Sequence, residues 1–245
     1  MIKAVITGHS RGLGEAIATV LLDRGAAVLA LSRGNNDHLA DRYGRLLDER
    51  RVDLGDSGAL SPLLEGDLLA HWMADADIAL LINNAGTLAP MGPLGSQGAT
   101  EIARGLALNL TAPLMLSDAF CAATAGMADR RILYVSSGAA RKPYAGWSVY
   151  GATKAALDHH ARAVAEEGQA NLRIASIAPG VLDTSMQAEI RSSSSERFPQ
   201  RARFEELHRS GSLTAPALGA RRLVDYLLSE DFGRLPATDL RDLSF

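Results

Sequence analysis

Short apolar runs recur along this chain, and a stretch long enough for an amphipathic helix follows most of them. The runs that predict strands span 2–7, 26–32, 76–86, 130–138 and 171–180, with a weaker one at 49–54. The stretches that predict helices lie around 11–24, 58–74, 99–125 with a break near Pro113, 149–168 and 215–229. Repeated strand–helix units predict an α/β fold, a doubly wound parallel sheet of about seven strands with helices on both faces.

The length of 245 residues suits one Rossmann-type domain, and no linker or internal repeat divides the chain, so we treat 1–245 as a single domain. Hydrophobic residues make up 47% and charged residues 22%, as in ordinary soluble proteins. We find no run of roughly eighteen apolar residues, the length of a membrane span, and no export signal at the N-terminus. These features predict a cytoplasmic protein with no membrane partner.

Composition also argues against several kinds of site. Cys121 is the only cysteine, so the chain has no internal disulfide framework and no cysteine-cluster zinc site. His159 and His160 are adjacent, and on a helix they would point about 100° apart, so we predict no metal site. The net charge of −3, with scattered Arg and Lys, offers no broad field for nucleic acid. We predict small-molecule chemistry.

The segment 184–213 differs in character from the rest of the chain. It contains "RSSSSERFPQRARFEELHRSG", which is polar, charged and interrupted by a serine run. We expect a mobile insertion that closes as a lid over the C-terminal ends of the strands, where doubly wound folds bind ligands. A plain surface excursion with weak helices is the alternative.

A glycine-rich turn, "TGHSRGLG", joins the first predicted strand to the first predicted helix. Gly8, Gly12 and Gly14 permit a tight turn and let the backbone approach a pyrophosphate at the helix N-terminus. The spacing is wider than the G-x-G-x-x-G of many dinucleotide folds, so the turn by itself is a weak signal and could hold no ligand.

Two arginines sharpen the interpretation of this turn. Arg11 lies inside it, and Arg33 directly follows the second strand, where an NAD-preferring fold commonly carries an acid for the ribose 2′-hydroxyl. A guanidinium there suits a 2′-phosphate, because its fork pairs two donors with phosphate oxygens. The pattern favours NADP(H) over NAD as cofactor, and solvated surface arginines are the alternative.

Five motifs occur together and in a recognisable order: "TGHSRGLG", "NNAG" at 83–86, "VSSG" at 135–138, "YGATK" at 150–154 and "PGVLDT" at 179–184. With them the chain resembles the short-chain dehydrogenase/reductase family over nearly its whole length. The stretches 143–158 and 178–187 look most similar to the sepiapterin reductase and benzil reductase branch. The resemblance implies a homodimer or homotetramer that pairs through its long helices.

The resemblance implies a catalytic tetrad. Tyr150 would protonate the carbonyl oxygen, and Lys154 would bind the nicotinamide ribose and lower the pKa of the phenol. Ser137 would hydrogen-bond the substrate oxygen, and Asn109 would hold a water in the proton relay. Independently of the family, a tyrosine and a lysine at i and i+4 share one helix face, so both can point into one cleft.

The same matching assigns cofactor contacts, with Asp53 accepting from the adenine amino group and Thr184 near the nicotinamide. Ser185 departs from the aspartate expected in this branch. The full predicted cofactor set is Gly8, Ser10, Arg11, Gly12, Leu13, Gly14, Arg33, Asp53, Leu54, Asn84, Ala85, Gly86, Tyr150, Lys154, Leu182 and Thr184.

On the substrate side, Tyr144 and Trp147 lead into the tyrosine helix and would form aromatic walls that suit a flat dicarbonyl. Packing or subunit contact is the alternative for both rings. Asp239 matches an acid that binds the pterin in pterin-reducing relatives, or is a solvated surface residue. The predicted substrate set is Ser136, Ser137, Tyr144, Trp147, Gly180 and Asp239.

Together these features predict an NADP(H)-dependent carbonyl reductase that acts on a vicinal dicarbonyl or α-hydroxy ketone. Another short-chain dehydrogenase with an acyl or sugar substrate is one alternative. A non-catalytic NADPH sensor is the other, although a sensor would not need the tetrad.

Overall fold

A seven-stranded parallel sheet forms the centre of the computed structural model, which describes residues 1–244. The strands are β1 (Ile2–Thr7), β2 (Ala27–Ser32), β3 (Leu47–Arg51), β4 (Ile78–Asn83), β5 (Arg130–Val135), β6 (Leu172–Ala178) and β7 (Ala237–Asp239). Their order across the sheet is β3-β2-β1-β4-β5-β6-β7, and every neighbouring pair is parallel. The strand order reverses between β1 and β4, which is where doubly wound folds open a ligand crevice. The predicted fold class is confirmed.

Ten α-helices lie among the described residues. They are α1 (Gly12–Asp23), α2 (Asp37–Tyr43), α3 (Ser57–Glu65), α4 (Leu68–Met73), α5 (Ala99–Leu106), α6 (Ala112–Ala123), α7 (Ser148–Glu166), α8 (Ser185–Ser192), α9 (Arg201–Arg209) and α10 (Pro216–Leu228). A π-helical turn, Ala107–Thr111, joins α5 to α6 without interruption.

The central strands are apolar throughout because both faces of the sheet are covered. Ile6 faces a layer that contains α1 and α10, whereas its neighbour Val5 faces the opposite layer with α3, α4, α6 and α7. In register, Ile6 pairs with Ile82 and Asn83 pairs with Tyr134, so the ends of β1, β4 and β5 lie side by side. Residues just after these strands therefore converge at one edge of the sheet.

Several predicted boundaries were wrong. The weak strand predicted at 49–54 is Leu47–Arg51, and the helix predicted at 58–74 is divided at Gly66 into α3 and α4. The helix does not break at Pro113, because a proline in the first turn of α6 needs no backbone N–H. The irregularity is the π turn that precedes this proline. The helix α2 and the three-residue strand β7 carried too weak a pattern to be placed.

By length and composition, the helical segment Ala99–Ala123 is apolar enough to cross a membrane, and 33% of its apolar window is buried. The sequence still has no uninterrupted apolar run of that length, because polar residues such as Asn109 lie within the segment, and its high hydropathy is an average. The segment packs on β4, α3, α4 and α7, as a core helix of the fold does, and leaves an apolar face uncovered.

Candidate active site

A cavity of about 610 Å³ lies at the C-terminal ends of the strands. The predicted site residues that line it are Gly8, Ser10, Arg11, Gly12, Leu13, Gly14, Arg33, Asp53, Leu54, Asn84, Ala85, Gly86, Ser136, Ser137, Tyr144, Trp147, Tyr150, Lys154, Gly180, Leu182, Thr184 and Asp239. Asn109 is the one predicted residue outside this lining. The fold therefore brings residues from both halves of the chain to one place.

The glycine turn requires its glycines. Gly8 and Gly12 have φ values of +72° and +63°, which side-chain-bearing residues rarely adopt. A Cβ on Gly14 would lie 2.1 Å from the Gly8 carbonyl oxygen, so the turn packs directly on the first turn of α1. Arg11, the N-cap residue, makes no side-chain capping bond, which leaves the first N–H groups of α1 available to an anion.

Asn84 fastens the glycine turn to the end of β4. Its side-chain amide donates to the carbonyl oxygens of Thr7 at 3.0 Å and Gly8 at 3.2 Å. In return, the Thr7 hydroxyl accepts from the backbone N–H groups of Asn84 and Ala85, both at 2.9 Å. Sequence reasoning missed Thr7, whose signal was a hydroxyl at the end of an otherwise apolar strand.

Exposed cations flank one end of the cavity. Arg33 follows β2 and Arg11 lies in the glycine turn, and neither forms an ion pair among residues 1–244. Asp53 accepts from Gly55 N at 2.9 Å, and Arg104 Nη2 approaches its carboxylate at 4.0 Å. Arg104, which the sequence did not single out, lies on α5 and lines a second, smaller pocket together with Arg33 and Asp53.

Tyr150 and Lys154 project from α7 into the middle of the cavity and are 6% and 4% exposed. Lys154 Nζ donates to the Val135 carbonyl oxygen at 2.8 Å and lies 5.9 Å from the centre of the Tyr150 ring. Burial lowers the pKa of Lys154 to about 8, although the negative charge of Asp158 raises it. Burial raises the pKa of Tyr150, and a hydrogen bond with Ser137 acts in the opposite direction.

Ser137 follows β5 and faces the phenol. Its hydroxyl accepts from Ala139 N at 3.1 Å and caps a short 3₁₀ turn, which fixes the side chain beside Tyr150. A hydroxyl, a phenol and an ammonium thus surround one point of the cavity, and these are the groups that can stabilise and protonate a carbonyl oxygen.

Asn109 lies in the π turn and is buried, with 1% of its surface exposed. Its amide oxygen accepts from Thr87 N and its amide nitrogen donates to Thr87 O, both at 2.8 Å. The side chain therefore fixes the loop that follows Gly86. The predicted role of Asn109 in holding a water stays a prediction.

The other end of the cavity has an aromatic wall. Trp147 stacks on Phe198 at 4.4 Å and 19° between ring planes, and meets the Tyr150 ring edge-on at 5.5 Å. Phe204 lies 5.6 Å from Trp147, and Tyr144 lies 5.3 Å from it. The sequence missed both phenylalanines, although each is an apolar residue within a polar segment.

The segment 184–213 supplies these phenylalanines. It forms the short helices α8 and α9, and Phe198, which lies between them, is fully buried, so the segment packs onto the rest of the chain. Thr184 is the N-cap residue of α8, without a side-chain capping bond, and a Cβ on Gly12 would lie 3.7 Å from its methyl group. Leu182 packs on α10 at Gly219 and forms an isolated bridge with Thr214. The predicted motion of this segment stays a prediction.

Asp239 ends β7 at the aromatic side of the cavity. It is 6% exposed, so the alternative of a solvated surface residue is wrong. Arg241 donates hydrogen bonds to both carboxylate oxygens, from Nε to Oδ1 at 2.8 Å and from Nη2 to Oδ2 at 2.7 Å. Burial alone would raise the pKa of Asp239, but the hydrogen bonds from Arg241 lower it below its usual value. Gly180 lies under Arg241, with 3.6 Å between its Cβ position and Cδ of the arginine.

Ser136 also lines the cavity, but its hydroxyl donates to Asp158 at 2.7 Å. In this conformation the hydroxyl is held by the protein interior, so a direct bond to substrate would require it to rotate. Among residues 1–244, no group of three His, Cys, Asp or Glu side chains is placed to hold a metal ion.

Comparison with known proteins places this cavity in context. The family model for short chain dehydrogenases matches residues 3–195. A benzil reductase ((S)-benzoin forming) of Bacillus cereus is 36% identical over 235 residues, which cover 93% of this chain and 94% of that protein. The sepiapterin reductase of Rattus norvegicus is 32% identical over 254 residues, 98% of this chain and 96% of the relative.

A crystal structure of a short-chain dehydrogenase/reductase from Burkholderia vietnamiensis is 44% identical in sequence. It superposes with a TM-score of 0.72, and the alignment covers 99% of this chain and 98% of that one.

Proposed function

The chain belongs to the short-chain dehydrogenase/reductase family and is an oxidoreductase, and from that premise we propose that it is an NADPH-dependent carbonyl reductase. The proposed substrate is a vicinal dicarbonyl or α-hydroxy ketone. The observation that carries the proposal is the position of Tyr150, which contacts the Ser137 hydroxyl, the Lys154 ammonium and the Trp147 ring within one cavity.

The residues present fit a dinucleotide. The Gly8–Gly14 contact removes the side chains that would block a pyrophosphate, and the uncapped N–H groups of α1 suit its charge. Arg33 and Arg11 have free guanidinium groups at the end where the adenosine ribose would lie, and a 2′-phosphate would satisfy both. These features support NADPH over NADH.

When bound, NADPH would supply a hydride to the carbonyl carbon. The chain supplies the proton: Tyr150 gives its phenolic hydrogen to the carbonyl oxygen, so that one hydride and one proton make the alcohol. Ser137 donates a hydrogen bond to the same oxygen, and Lys154 stabilises the phenolate that remains. Lys154 would also hold the nicotinamide ribose.

The aromatic wall supports a flat, apolar substrate. Trp147, Phe204 and Tyr144 line the cavity and offer their rings to a conjugated dicarbonyl, and the fully buried Phe198 supports Trp147 by stacking on it. The Arg241 guanidinium already donates to both oxygens of Asp239, so a cationic or guanidine-like ligand would have to displace Arg241 before it could bind this carboxylate. This arrangement favours a neutral aryl diketone over a pterin. The names of the benzil reductase relatives support the same choice.

The test is NADPH oxidation with benzil, 1-phenyl-1,2-propanedione and sepiapterin as separate substrates. Wild-type protein should reduce the two aryl diketones faster than sepiapterin. Tyr150→Phe should lose at least about 100-fold in kcat, since it removes the proton donor, while NADPH still binds.

Tyr134→Phe is the matched control. Tyr134 is a buried tyrosine whose hydroxyl contacts Ser117 at 2.8 Å and His160 at 3.0 Å, outside the cavity. This variant should keep its activity. Wild-type protein that binds NADPH but reduces no carbonyl would instead support a non-catalytic sensor. A different ketone substrate that outcompetes the diketones would support another type of ketoreductase.

We also propose self-association. The apolar face that Ala99–Ala123 leaves uncovered lies next to α7, and two copies could bury it against each other. Light scattering after size exclusion should give a dimer or tetramer, and a monomer at micromolar concentration would contradict this.

A further inference from the structure

One buried charge near the cavity has no part in the chemistry described above. Asp158 lies one helical turn after Lys154 on α7 and is 2% exposed. A carboxylate is costly to bury unless hydrogen bonds and opposite charges compensate for the lost water. The groups that compensate the charge of Asp158 are therefore the groups that this side chain can hold in place.

Two serine hydroxyls donate to the same oxygen of Asp158. Ser136 and Ser176 each approach Oδ1 at 2.7 Å, and both are buried. Ser136 directly follows β5 and is the chain neighbour of Ser137, whereas Ser176 lies within β6. The carboxylate thus ties α7, which carries Tyr150, to the strand end that carries Ser137.

One cation contacts Asp158, and a second lies one helical turn away. Arg141 Nη2 lies 3.2 Å from Oδ2, and the same nitrogen donates to the Thr238 carbonyl oxygen at 2.7 Å. Lys154 lies on the same face of α7 at the i, i+4 spacing, and its pKa responds to the charge of Asp158.

The other neighbours of Lys154 carry no charge. On α7 it faces the Tyr150 phenol, from β5 it faces the Val135 carbonyl oxygen, and from the turn after β4 it faces Gly86. Among residues 1–244, Asp158 is the one charged group that acts on the pKa of Lys154, and it opposes the effect of burial.

We propose that Asp158 is a positioning residue for the reduction: its charge keeps Lys154 cationic beside Tyr150, and its serine contacts fix Ser137 relative to that tyrosine. The inference rests on the proposed function, in which a charged Lys154 stabilises the phenolate after proton transfer. A neutral lysine would leave that phenolate without its counter-charge, and proton donation would slow.

The chain allows a direct test because it contains three lysines, Lys3, Lys142 and Lys154. Lysine labelled with ¹³C at Cε should give three NMR signals, assigned with Lys3→Arg and Lys142→Arg. Asp158→Asn removes the charge but keeps an oxygen for the two serines. The pKa of Lys154 should fall by about one unit or more in this variant, and the alkaline limb of kcat for benzil reduction should move to lower pH by the same amount.

Arg141→Met is the matched control. It removes the cation that competes for Asp158, so the pKa of Lys154 should rise or stay in place. An unchanged lysine pKa in Asp158→Asn would overturn the charge role, and an equal fall in both variants would indicate general disruption and overturn it as well.

The double variant Ser136→Ala/Ser176→Ala removes the serine contacts of Asp158 and keeps its negative charge. It also provides a test if Asp158→Asn fails to fold. We expect about tenfold lower kcat with unchanged NADPH affinity, and an unchanged kcat would overturn the positioning role. If the wild type reduces no carbonyl, the proposed function fails, whereas the lysine titration still decides whether Asp158 controls Lys154.

Discussion

The segment 184–213 packs against the turn at 144–147 through a close backbone contact at Gly146, and we expect this contact to keep the segment attached. This glycine has φ +87°, and a Cβ added to it would lie 2.2 Å from the Arg197 carbonyl oxygen. In Gly146→Ala, either the turn at 144–147 or the backbone at 197–198 must move by about 1 Å to restore an ordinary contact. The movement would separate Phe198 from Trp147, which now stack at 4.4 Å.

The free-energy cost of Gly146→Ala to the attachment of the segment has two contributions. An L-residue at positive φ costs about 1–2 kcal/mol, a strain that is relieved when the turn leaves this conformation. Loss of the aromatic pair costs about 0.5–1.5 kcal/mol. Together they amount to about 1.5–3.5 kcal/mol, which shifts the equilibrium between attached and detached segment roughly 10- to 400-fold.

Limited trypsin digestion measures this shift, since the segment contains five arginines. Gly146→Ala should be cleaved within 191–209 faster than wild type, and KM for benzil should rise, while NADPH affinity changes little. Gly95→Ala is the matched control, because Gly95 has φ +93° but no atom within 4 Å of its Cβ position. Equal digestion rates and equal KM values in the two variants would refute the reasoning.

Three further outcomes follow from the site. Arg33→Ala should weaken NADPH binding by at least about tenfold and leave NADH binding unchanged, as measured by cofactor fluorescence; equal loss for both would contradict the phosphate role. Gly14→Ala should abolish binding of either cofactor, because its Cβ would lie 2.1 Å from the Gly8 carbonyl oxygen, and retained affinity would show that the turn adapts. Asp239 has a lowered folded-state pKa, so its pairing with Arg241 stabilises the fold above the ordinary value of 3.8 and the effect is lost as pH falls below it. Urea unfolding of Arg241→Leu should therefore show a deficit against wild type at neutral pH that shrinks in acid, and a deficit independent of pH would contradict the ion pair.

Local pattern predicted the parts of the fold that depend on burial on both faces. β1 was placed at the residues it occupies, and α7 was placed within two residues at each end, because long apolar periodicity leaves few alternatives. β3 was misplaced because "LDERR" is a charged edge strand with one covered side. β7 has three residues, which is too short for a periodic signal.

The site divides in a similar way. Sequence placed Tyr150 and Lys154 on one helix face, since that follows from helix geometry alone. It did not reveal that the Ser136 hydroxyl donates to Asp158, or that the Arg241 guanidinium donates to the carboxylate of Asp239. Ser136 and Asp158 lie on different elements, so only the packing of α7 on β5 brings them together, whereas Arg241 is two residues from Asp239 and the pairing matters because the fold buries that carboxylate.

The amino-acid sequence by itself determined the order of the longer strands and helices, the glycine turn and the acid–cation pair of α7, because each follows from interactions between residues near one another in the chain. Tertiary structure decided which groups satisfy each buried charge and which rings form the substrate wall. Phe198 meets Trp147 across fifty intervening residues. Contacts of that separation depend on how whole elements pack, so no local pattern could specify them.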